Sequence, residues 1–153
     1  MIIKSLNQLQ LISNNIAEKI SKKDCIFLNG EIGVGKTTLT RMIVNYLQKR
    51  EGVKQTEVLS PTFNLLYEYQ ISNFKIMHYD LYRIKNSKEL DQLGIFKENE
   101  STIKIIEWPD LIMDRPKNRL ELEIKYLKKE DEREIIFKGH GEWKNINEYK
   151  LQN

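Results

Sequence analysis

A glycine-rich segment near the start of the chain constrains the fold more than any other feature of the sequence. Residues 30–38 read GEIGVGKTT and fit the pattern G-x-x-x-x-G-K-[ST] at every fixed position. The apolar run CIFLN, residues 25–29, comes directly before it and is typical of a buried strand. An amphipathic helix is predicted from Lys36 to near Gly52 on the apolar residues Leu39, Ile43 and Leu47. This order of strand, glycine loop and helix predicts an α/β fold.

The glycine loop, called the P-loop below (residues 30–38), predicts a site for the phosphates of a nucleotide. Glycine lets the backbone curl so that successive N–H groups point at phosphate oxygens, and the following helix adds the positive end of its dipole. Lys36 is expected to neutralise the β and γ phosphates, and the Thr37 hydroxyl to ligate Mg²⁺. The predicted nucleotide-binding residues of this loop are Gly30, Glu31, Ile32, Gly33, Val34, Gly35, Lys36, Thr37 and Thr38.

Two acidic residues at strand ends extend the predicted site. A P-loop protein needs a further acidic group for Mg²⁺, and STIKIIEW supplies Glu107 at the end of an apolar strand. Asp80 also ends a strand-like run, in MHYDLYRI, and could reach the same ion, its waters or the attacking water. We therefore predict Glu107 as a metal ligand, and Lys36, Asp80 and Glu107 as catalytic residues. A single strand histidine more often packs or hydrogen-bonds than catalyses, so His78 is not counted among them.

The first half of the chain predicts two further elements besides the P-loop unit. Ser5 and Gln8 form a capping-box pattern at the start of an amphipathic helix that should end near Lys22. The runs FNLLYEYQI and FKIMHYDLY are strand-like and are joined through Ser72 and Asn73. Their closeness predicts an antiparallel hairpin.

The second half predicts a short helix and a second hairpin. NSKELDQLG is expected to be a helix with Ser87 as its N-cap and Gly94 as its C-cap. RLELEIKYL places Leu120, Leu122, Ile124 and Tyr126 on one face and should pair with REIIF, while EWKNINEYK at residues 142–150 reads as a weak terminal helix. The predicted fold class is α/β: a P-loop NTPase fold with a mixed β-sheet flanked by helices and a C-terminal β-hairpin.

Length and composition indicate one globular unit. The 153 residues are 40% apolar and 31% charged, and we assign residues 1–153 to a single domain. The net charge of +3 permits an acidic partner without arguing for one. The single cysteine, Cys25, excludes a disulfide within the chain. The first residues lack a signal-peptide pattern, and no apolar run reaches the ~20 residues that span a bilayer, so we expect a cytoplasmic protein with no membrane contact.

The sequence argues against some classes of nucleotide-using protein and leaves others open. GTP-binding proteins read guanine with an Asn/Thr-Lys-x-Asp segment after the P-loop, whereas the nearest match here, SKKD at residues 21–24, lies before it and lacks the first residue. A small-molecule kinase remains the alternative, in which the P-loop and Asp80 would phosphorylate a bound hydroxyl. A nucleotide-sensing module that does not hydrolyse is a third possibility, and the predicted magnesium ligands Thr37 and Glu107 argue against it.

Five segments in fixed order carry a resemblance to a known family: GEIGVGKTTLTR, SPTFNLLYEY, HYDLYRI, LDQLGI and IIEWPD. Together they closely resemble the TsaE family, the small bacterial P-loop ATPases of tRNA threonylcarbamoyladenosine biosynthesis. Many families share the P-loop alone, whereas the combination of Ser-Pro-Thr-Phe, His-aromatic-Asp-Leu-Tyr-Arg and Ile-Glu-Trp-Pro is highly specific. The similarity runs from the first helix to about Gly139, so it covers nearly the whole chain.

The resemblance implies an activity and partners. It implies a P-loop ATPase domain that binds ATP and Mg²⁺ and joins two proteins, a kinase-like threonylcarbamoyl transferase (TsaD) and its non-catalytic relative (TsaB). That assembly modifies the adenosine beside the anticodon, so this chain would meet tRNA indirectly, through the complex. ATP turnover is expected to serve the cycle of the assembly, with slow hydrolysis by the isolated chain and stimulation by the partners.

The resemblance also assigns roles to individual residues. Thr37 and Glu107 would ligate Mg²⁺, and Asp80 would be needed for hydrolysis. The segment SPTF would be a switch-like loop near the γ-phosphate. Trp108 would pack beside the site, and Arg133 in the C-terminal hairpin would approach the nucleotide.

Overall fold

The computed structural model describes residues 1–97, 101–129 and 131–146. The helices and strands in these ranges are β1 (Ile2–Ile3), α1 (Leu6–Lys19), β2 (Cys25–Asn29), α2 (Lys36–Arg50), β3 (Leu66–Ile71), β4 (Phe74–Asp80), α3 (Ser87–Leu93), β5 (Thr102–Glu107), β6 (Arg119–Tyr126) and β7 (Arg133–His140). Two short 3₁₀ helices, Pro109–Leu111 and Gly141–Asn145, complete the set. Within these ranges no helix is both long and apolar enough to cross a membrane.

The strands form one mixed sheet in the order β1-β7-β6-β2-β5-β4-β3. β2 runs parallel to β5 and β6, and β4 runs parallel to β5. The pairs β3–β4, β6–β7 and β1–β7 are antiparallel. The predicted α/β class, mixed sheet and two hairpins are therefore confirmed. The parallel centre brings the carboxyl ends of β2, β4, β5 and β6 to one edge, where sheets of this kind bind their ligands.

The two faces of the sheet are covered differently. Helices α1 and α2 bury their apolar stripes against one face, which includes Ile103 and Ile105 of β5. The other face, with Phe27 and Ile106, is covered by α3 and the segment around Ile112, and no residue of α3 is fully buried. Because side chains alternate along a strand, the last residue of β5, Glu107, faces the α2 side together with Ile103 and Ile105.

Helix α1 begins as predicted and ends earlier than predicted. The Ser5 hydroxyl accepts a hydrogen bond from the backbone N–H of Gln8 at 3.2 Å and caps the helix. The helix stops at Lys19 rather than near Lys22, because Ile20 turns to an extended conformation with ψ 133° and buries its side chain in the core.

In α3 the expected serine N-cap is wrong. The cap is Asn86, whose side-chain oxygen accepts a hydrogen bond from the backbone N–H of Glu89 at 3.1 Å, and Ser87 is the first helical residue. Both side chains are good caps, and asparagine comes first in the chain. The predicted C-cap is confirmed, since Gly94 has a left-handed conformation with φ 58°.

The C-terminal hairpin follows the predicted alternation. Leu120, Leu122 and Ile124 are buried, whereas Tyr126 at the end of β6 is 40% exposed because it reaches toward the P-loop. The expected helix over residues 142–150 appears only as the 3₁₀ helix Gly141–Asn145, and residues 147–150 lie outside the described ranges.

Candidate active site

The P-loop connects β2 to α2 at the carboxyl edge of the sheet. Gly30 has φ 139°, and a Cβ atom added there would lie 2.3 Å from the carbonyl oxygen of Ile124, so the turn requires glycine. Gly35 is the N-cap of α2 with φ 119°. It offers no side chain to the first N–H groups of the helix, which therefore stay available to an anion.

Lys36 is held inside the P-loop. Its side chain is 4% exposed, and Nζ donates hydrogen bonds to the carbonyl oxygens of Gly30 at 2.6 Å and Glu31 at 2.9 Å. The Nζ atom also lies 4.0 Å from the centre of the Trp108 ring, in cation–π geometry. Burial lowers the pKa of Lys36, and the negative charge of Glu107 opposes that shift. The ammonium group is thus already at the loop that is expected to bind phosphate.

Glu107 connects three elements of the fold. Its Oε1 atom lies 2.8 Å from the Thr37 hydroxyl, which donates to it, and 2.8 Å from Nε2 of His78. Glu107 is 3% exposed and His78 is fully buried. β5 aligns Glu107 with Leu28 on β2 and with Asp80 on β4. The carboxylate is therefore part of the sheet edge and also bonds the first turn of α2.

Asp80, at the end of β4, is held by hydroxyl groups. Its Oδ2 atom accepts hydrogen bonds from Thr62 at 2.6 Å and Ser60 at 3.3 Å, and its Oδ1 atom accepts from the backbone N–H of Tyr82 at 3.0 Å. Ser60 and Thr62 belong to the segment SPTF, residues 60–63, called the SPTF loop below. Asp80 is 2% exposed, so the carboxylate fastens this loop to the end of the sheet.

Arg133 packs against Tyr126, a neighbour of the P-loop. Its guanidinium stacks 4.3 Å from the centre of the Tyr126 ring and donates to the carbonyl oxygen of Glu132 at 3.0 Å. Tyr126 in turn donates from its hydroxyl to the carbonyl oxygen of Ile32 at 3.0 Å. Tyr126 thus connects Arg133 to the P-loop, and the approach of Arg133 to the nucleotide stays a prediction.

The aromatic residues beside the site form a partly exposed rim. The Tyr82 ring packs 5.1 Å from the Trp108 ring, and Tyr82 is 50% exposed. Phe63 in the SPTF loop is 84% exposed and lies under the guanidinium of Arg83 at 5.6 Å. Trp108 takes a left-handed conformation with φ 58° directly after Glu107, which turns the chain at the strand end.

The structure brings most of the predicted residues together and adds four side chains that were not predicted individually as catalytic or binding residues, although two of them lie in the segment SPTF. The P-loop, Lys36, Thr37, Asp80 and Glu107 share one sheet edge. The additional side chains are those of Ser60, Thr62, His78 and Tyr126. A signal for His78 was present, because residues two apart on a strand share a face and Asp80 was already placed in the site.

Two further observations concern metal ligands and cavities. In the described ranges no group of three or more His, Cys, Asp or Glu side chains could hold a metal ion by itself. A cleft of about 620 Å³ lies elsewhere, between α3 and residues 111–116, and none of the predicted site residues lines it. The predicted site residues therefore lie at the carboxyl edge of the sheet, away from this cleft.

Comparison with known proteins identifies relatives of this chain. The family model described as "Threonylcarbamoyl adenosine biosynthesis protein TsaE" matches residues 3–135. A protein of Rickettsia conorii named "tRNA threonylcarbamoyladenosine biosynthesis protein TsaE" is 36% identical over 110 residues, which cover 72% of this chain and 61% of that protein. A Bacillus subtilis protein of the same name is 33% identical over 120 residues, which cover 77% of this chain and 71% of the relative.

Solved structures agree with the sequence matches. The crystal structure of Bacillus subtilis YdiB superposes with a TM-score of 0.69 at 26% identity and covers 93% of this chain and 85% of that chain. The match to the Rickettsia conorii relative spans about three fifths of that protein's length. The family model alone covers most of the present sequence, and with these relatives it shows that the chain belongs to the TsaE family of tRNA threonylcarbamoyladenosine biosynthesis, with a P-loop fold.

Proposed function

We propose that this chain is a magnesium-dependent ATPase that acts in the cytoplasm on the TsaD–TsaB transferase complex and supports its turnover. Residues 1–153 would form a single P-loop ATPase domain, and tRNA would be met indirectly through the complex. One observation carries the proposal. The Thr37 hydroxyl at the start of α2 lies 2.8 Å from the Glu107 carboxylate at the end of β5, beside the buried Lys36.

The residues of this edge fit Mg²⁺ bound to a nucleotide. Mg²⁺ takes hard oxygen ligands and is usually held by one or two carboxylates together with substrate phosphates and water. The Thr37 hydroxyl and the Glu107 carboxylate supply oxygens of this kind. When bound, the ion would neutralise charge on the phosphate oxygens. A single carboxylate and a hydroxyl suit an ion that arrives with ATP, which agrees with the lack of a larger ligand cluster in the described ranges.

The side chains of this protein would divide the work. Lys36 would transfer its hydrogen bonds from the carbonyl oxygens of Gly30 and Glu31 to phosphate oxygens. Asp80 would act on hydrolysis by holding Ser60 and Thr62, so that the SPTF loop keeps its position beside the γ-phosphate.

The remaining predicted residue is Arg133. It would influence the nucleotide through Tyr126, whose hydroxyl supports the carbonyl of Ile32. Tyr126 gives the P-loop one hydrogen bond, whereas Lys36 is held inside the loop by two, so we expect the effect of Arg133 on ATP affinity to be smaller than that of Lys36.

The proposed protein partner is supported by family membership and by the rim of the site. Phe63 and Tyr82 are exposed aromatic side chains. Phe63 follows Thr62, whose hydroxyl donates to the Asp80 carboxylate, and the backbone N–H of Tyr82 donates to the same carboxylate. Aromatic side chains are enriched in protein interfaces. We therefore propose that TsaD and TsaB contact the rim and that nucleotide state changes their affinity by linkage.

Reconstitution tests the proposal. The chain is combined with TsaD, TsaB, the enzyme that makes threonylcarbamoyl-adenylate, unmodified tRNA and γ-labelled ATP. We expect slow release of free phosphate by the isolated chain, faster release with the pair, and several rounds of tRNA modification. Label recovered in a phosphorylated small molecule would instead support the kinase alternative.

The matched variants are Glu107→Ala and Glu142→Ala, the second of which removes an exposed carboxylate. Glu142→Ala should behave as wild type, whereas Glu107→Ala should stop after the first round. If Glu107→Ala supports as many rounds as wild type, the ATPase role is wrong, even where binding to the pair is observed.

A further inference from the structure

We propose that His78 is a positioning residue for Glu107: its Nε2–H group holds the carboxylate in the orientation needed to bind magnesium nucleotide. The inference rests on the function proposed above and assigns a role to a residue that the sequence analysis left out of the site. His78 Nε2 and Glu107 Oε1 are 2.8 Å apart, and the exposures of the two side chains are 0% and 3%.

The fold fixes this pair from both sides. β4 and β5 are parallel neighbours, with His78 aligned to Ile105 and Asp80 aligned to Glu107. His78 and Glu107 point to the same face of the sheet, the face covered by α2. The Tyr69 ring lies 6.4 Å from the imidazole on the neighbouring strand. His78 cannot leave Glu107 without disturbing the buried sheet.

The hydrogen bond defines the chemistry of the imidazole. A carboxylate oxygen only accepts hydrogen bonds, so the nitrogen that faces it must carry the proton. His78 Nδ1 is buried and has no hydrogen-bond partner in the described part of the chain. The polar contact that this side chain makes there is the one with Glu107, so its hydrogen bonding serves that carboxylate.

His78 differs in this respect from the other donor to Glu107. The Thr37 hydroxyl also donates to Oε1 at 2.8 Å, but Thr37 is itself a proposed magnesium ligand. The orientation of a hydroxyl that ligates an ion depends on that ion, whereas the imidazole is held in place by the sheet. Both recorded donors use Oε1, and no side chain in the described ranges hydrogen-bonds Oε2. His78 therefore fixes one oxygen and leaves the other open.

The expected size of the effect follows from the behaviour of groups that orient a metal-binding side chain. Their loss typically lowers metal affinity about 10- to 100-fold. A packing role alone would change stability and leave the magnesium dependence of nucleotide binding unchanged. The measurement that distinguishes the two roles is therefore the Mg²⁺ concentration that gives half of the maximal increase in nucleotide affinity. Activity alone does not distinguish them.

The experiment compares His78→Gln, His78→Asn and His78→Leu. Glutamine places an N–H donor near the position of Nε2, asparagine is too short to reach Oε1, and leucine has no donor. Calorimetry with a non-hydrolysable ATP analogue is performed across a series of Mg²⁺ concentrations, and Mg²⁺ dependence of phosphate release is measured in parallel. His140→Asn is the matched control, because the other histidine contacts Arg119 and Glu121.

We expect His78→Asn and His78→Leu to require about 10- to 100-fold more Mg²⁺, with unchanged affinity for the analogue in the absence of Mg²⁺. His78→Gln and His140→Asn should remain close to wild type. Because leucine removes the imidazole donor and leaves only Thr37 to donate to Glu107 in the described contacts, the leucine variant is interpreted only if its melting temperature shows a folded protein. If it is not folded, the comparison of His78→Gln with His78→Asn decides.

Two results would overturn the inference. One is a wild-type Mg²⁺ dependence in His78→Asn, and the other is a loss in His78→Gln as large as that in His78→Asn. Either result, with normal magnesium-stimulated hydrolysis by wild type, rejects the role of His78 and leaves the proposed function standing. If wild type shows no magnesium effect on analogue binding or hydrolysis, the proposed function and the inference are both wrong.

Discussion

Glu107 and Asp80 end neighbouring parallel strands, yet different kinds of structure hold the two carboxylates. Glu107 accepts hydrogen bonds from Thr37 in α2 and pairs with His78 in β4, which both belong to regular elements. Asp80 accepts hydrogen bonds from Thr62 and from Ser60, which belong to the irregular segment between α2 and β3. One carboxylate is thus supported by the sheet and a helix, and the other supports a loop.

Besides Asp80, the SPTF loop is held by the buried Pro61, whose carbonyl oxygen accepts a hydrogen bond from the backbone N–H of Leu65 at 2.6 Å. Phe63 is 84% exposed, and Leu65, just after the loop, takes a left-handed conformation with φ 64°. The backbone N–H of Asp80 donates to the carbonyl oxygen of Leu65 at 3.1 Å, so the loop is tied to the end of β4. Exposed segments with few buried contacts open at lower free energy than core elements. Regular elements therefore hold the Glu107 side in place, whereas the Asp80 side depends on the position of the SPTF loop.

The largest effect on ATP affinity should come from the side that the sheet and helix hold rigidly. Lys36→Met removes the ammonium group from a P-loop that otherwise keeps its shape. A hydrogen bond to a charged group is worth about 1.5–3 kcal/mol, so we expect ATP affinity to fall about 10- to 100-fold. Calorimetry measures the affinity, with Lys22→Met, an exposed lysine, as the control. Unchanged affinity in Lys36→Met would mean that the P-loop is not the nucleotide site.

The next effect compares the two carboxylates directly. Glu107→Ala and Asp80→Ala should lower the rate of hydrolysis about 100-fold or more, because positioned electrostatic groups contribute that much. Nucleotide affinity should change less, since the backbone of the P-loop and Lys36 remain. Phosphate release and calorimetry provide the two measurements for each variant.

The double variant sharpens the comparison between the two sides. If both carboxylates act at one centre, their effects on the rate should be non-additive. Losses that simply multiply would place Asp80 outside the centre of Glu107 and would favour an independent role for the SPTF loop.

Local rules were sufficient to predict the elements that build the site. The glycine spacing, the apolar run CIFLN and the helical repeat from Lys36 define β2, the P-loop and α2. The hairpin turn at Ser72 and the C-cap at Gly94 follow from local turn chemistry in the same way. These features depend on residues a few positions apart, and this is why a single sequence reveals them.

Contacts between distant residues were not predictable on the same basis. His78 and Glu107 are brought together by the register of β4 against β5, and Tyr126 reaches Ile32 across the sheet edge. Asp80 was predicted at the site, but its hydrogen bonds to Thr62 and Ser60 depend on how the SPTF loop folds back onto β4. The residues of the site could be nominated from motifs, whereas their partners required the fold.

A smaller, graded effect tests the loop side. Thr62→Val removes the hydroxyl that donates to Asp80 at 2.6 Å, and Ser60→Ala removes the weaker donor at 3.3 Å. We expect hydrolysis to fall about 3- to 10-fold in Thr62→Val and less in Ser60→Ala, since one hydrogen bond contributes about 1 kcal/mol. ATP affinity should stay unchanged in both. A fall in affinity as large as in Lys36→Met would show that the loop is not separable from the phosphate site.

The smallest effect is spectroscopic and reports on the boundary between the two sides. Trp108 lies 4.0 Å from the Lys36 ammonium and packs against Tyr82, whose backbone N–H bonds Asp80. Binding of Mg-ATP is expected to move the hydrogen bonds of Lys36 from the loop carbonyls to phosphate. Because the ammonium charge above the indole then shifts, the fluorescence of Trp108 should change.

Trp143 provides the internal comparison, because it is 4% exposed within the core that α1 and α2 share with the sheet. The signal should therefore disappear in Trp108→Phe and persist in Trp143→Phe, provided that circular dichroism shows both proteins folded. In Asp80→Ala the fluorescence change should be kept if it arises from the movement of Lys36, and reduced if it arises from Tyr82. A single titration of this variant therefore tells whether the signal reports on the Glu107 side or on the Asp80 side. A signal that follows Trp143 instead would mean that nucleotide binding acts on the core, and the rigid character assigned to the Glu107 side would be wrong.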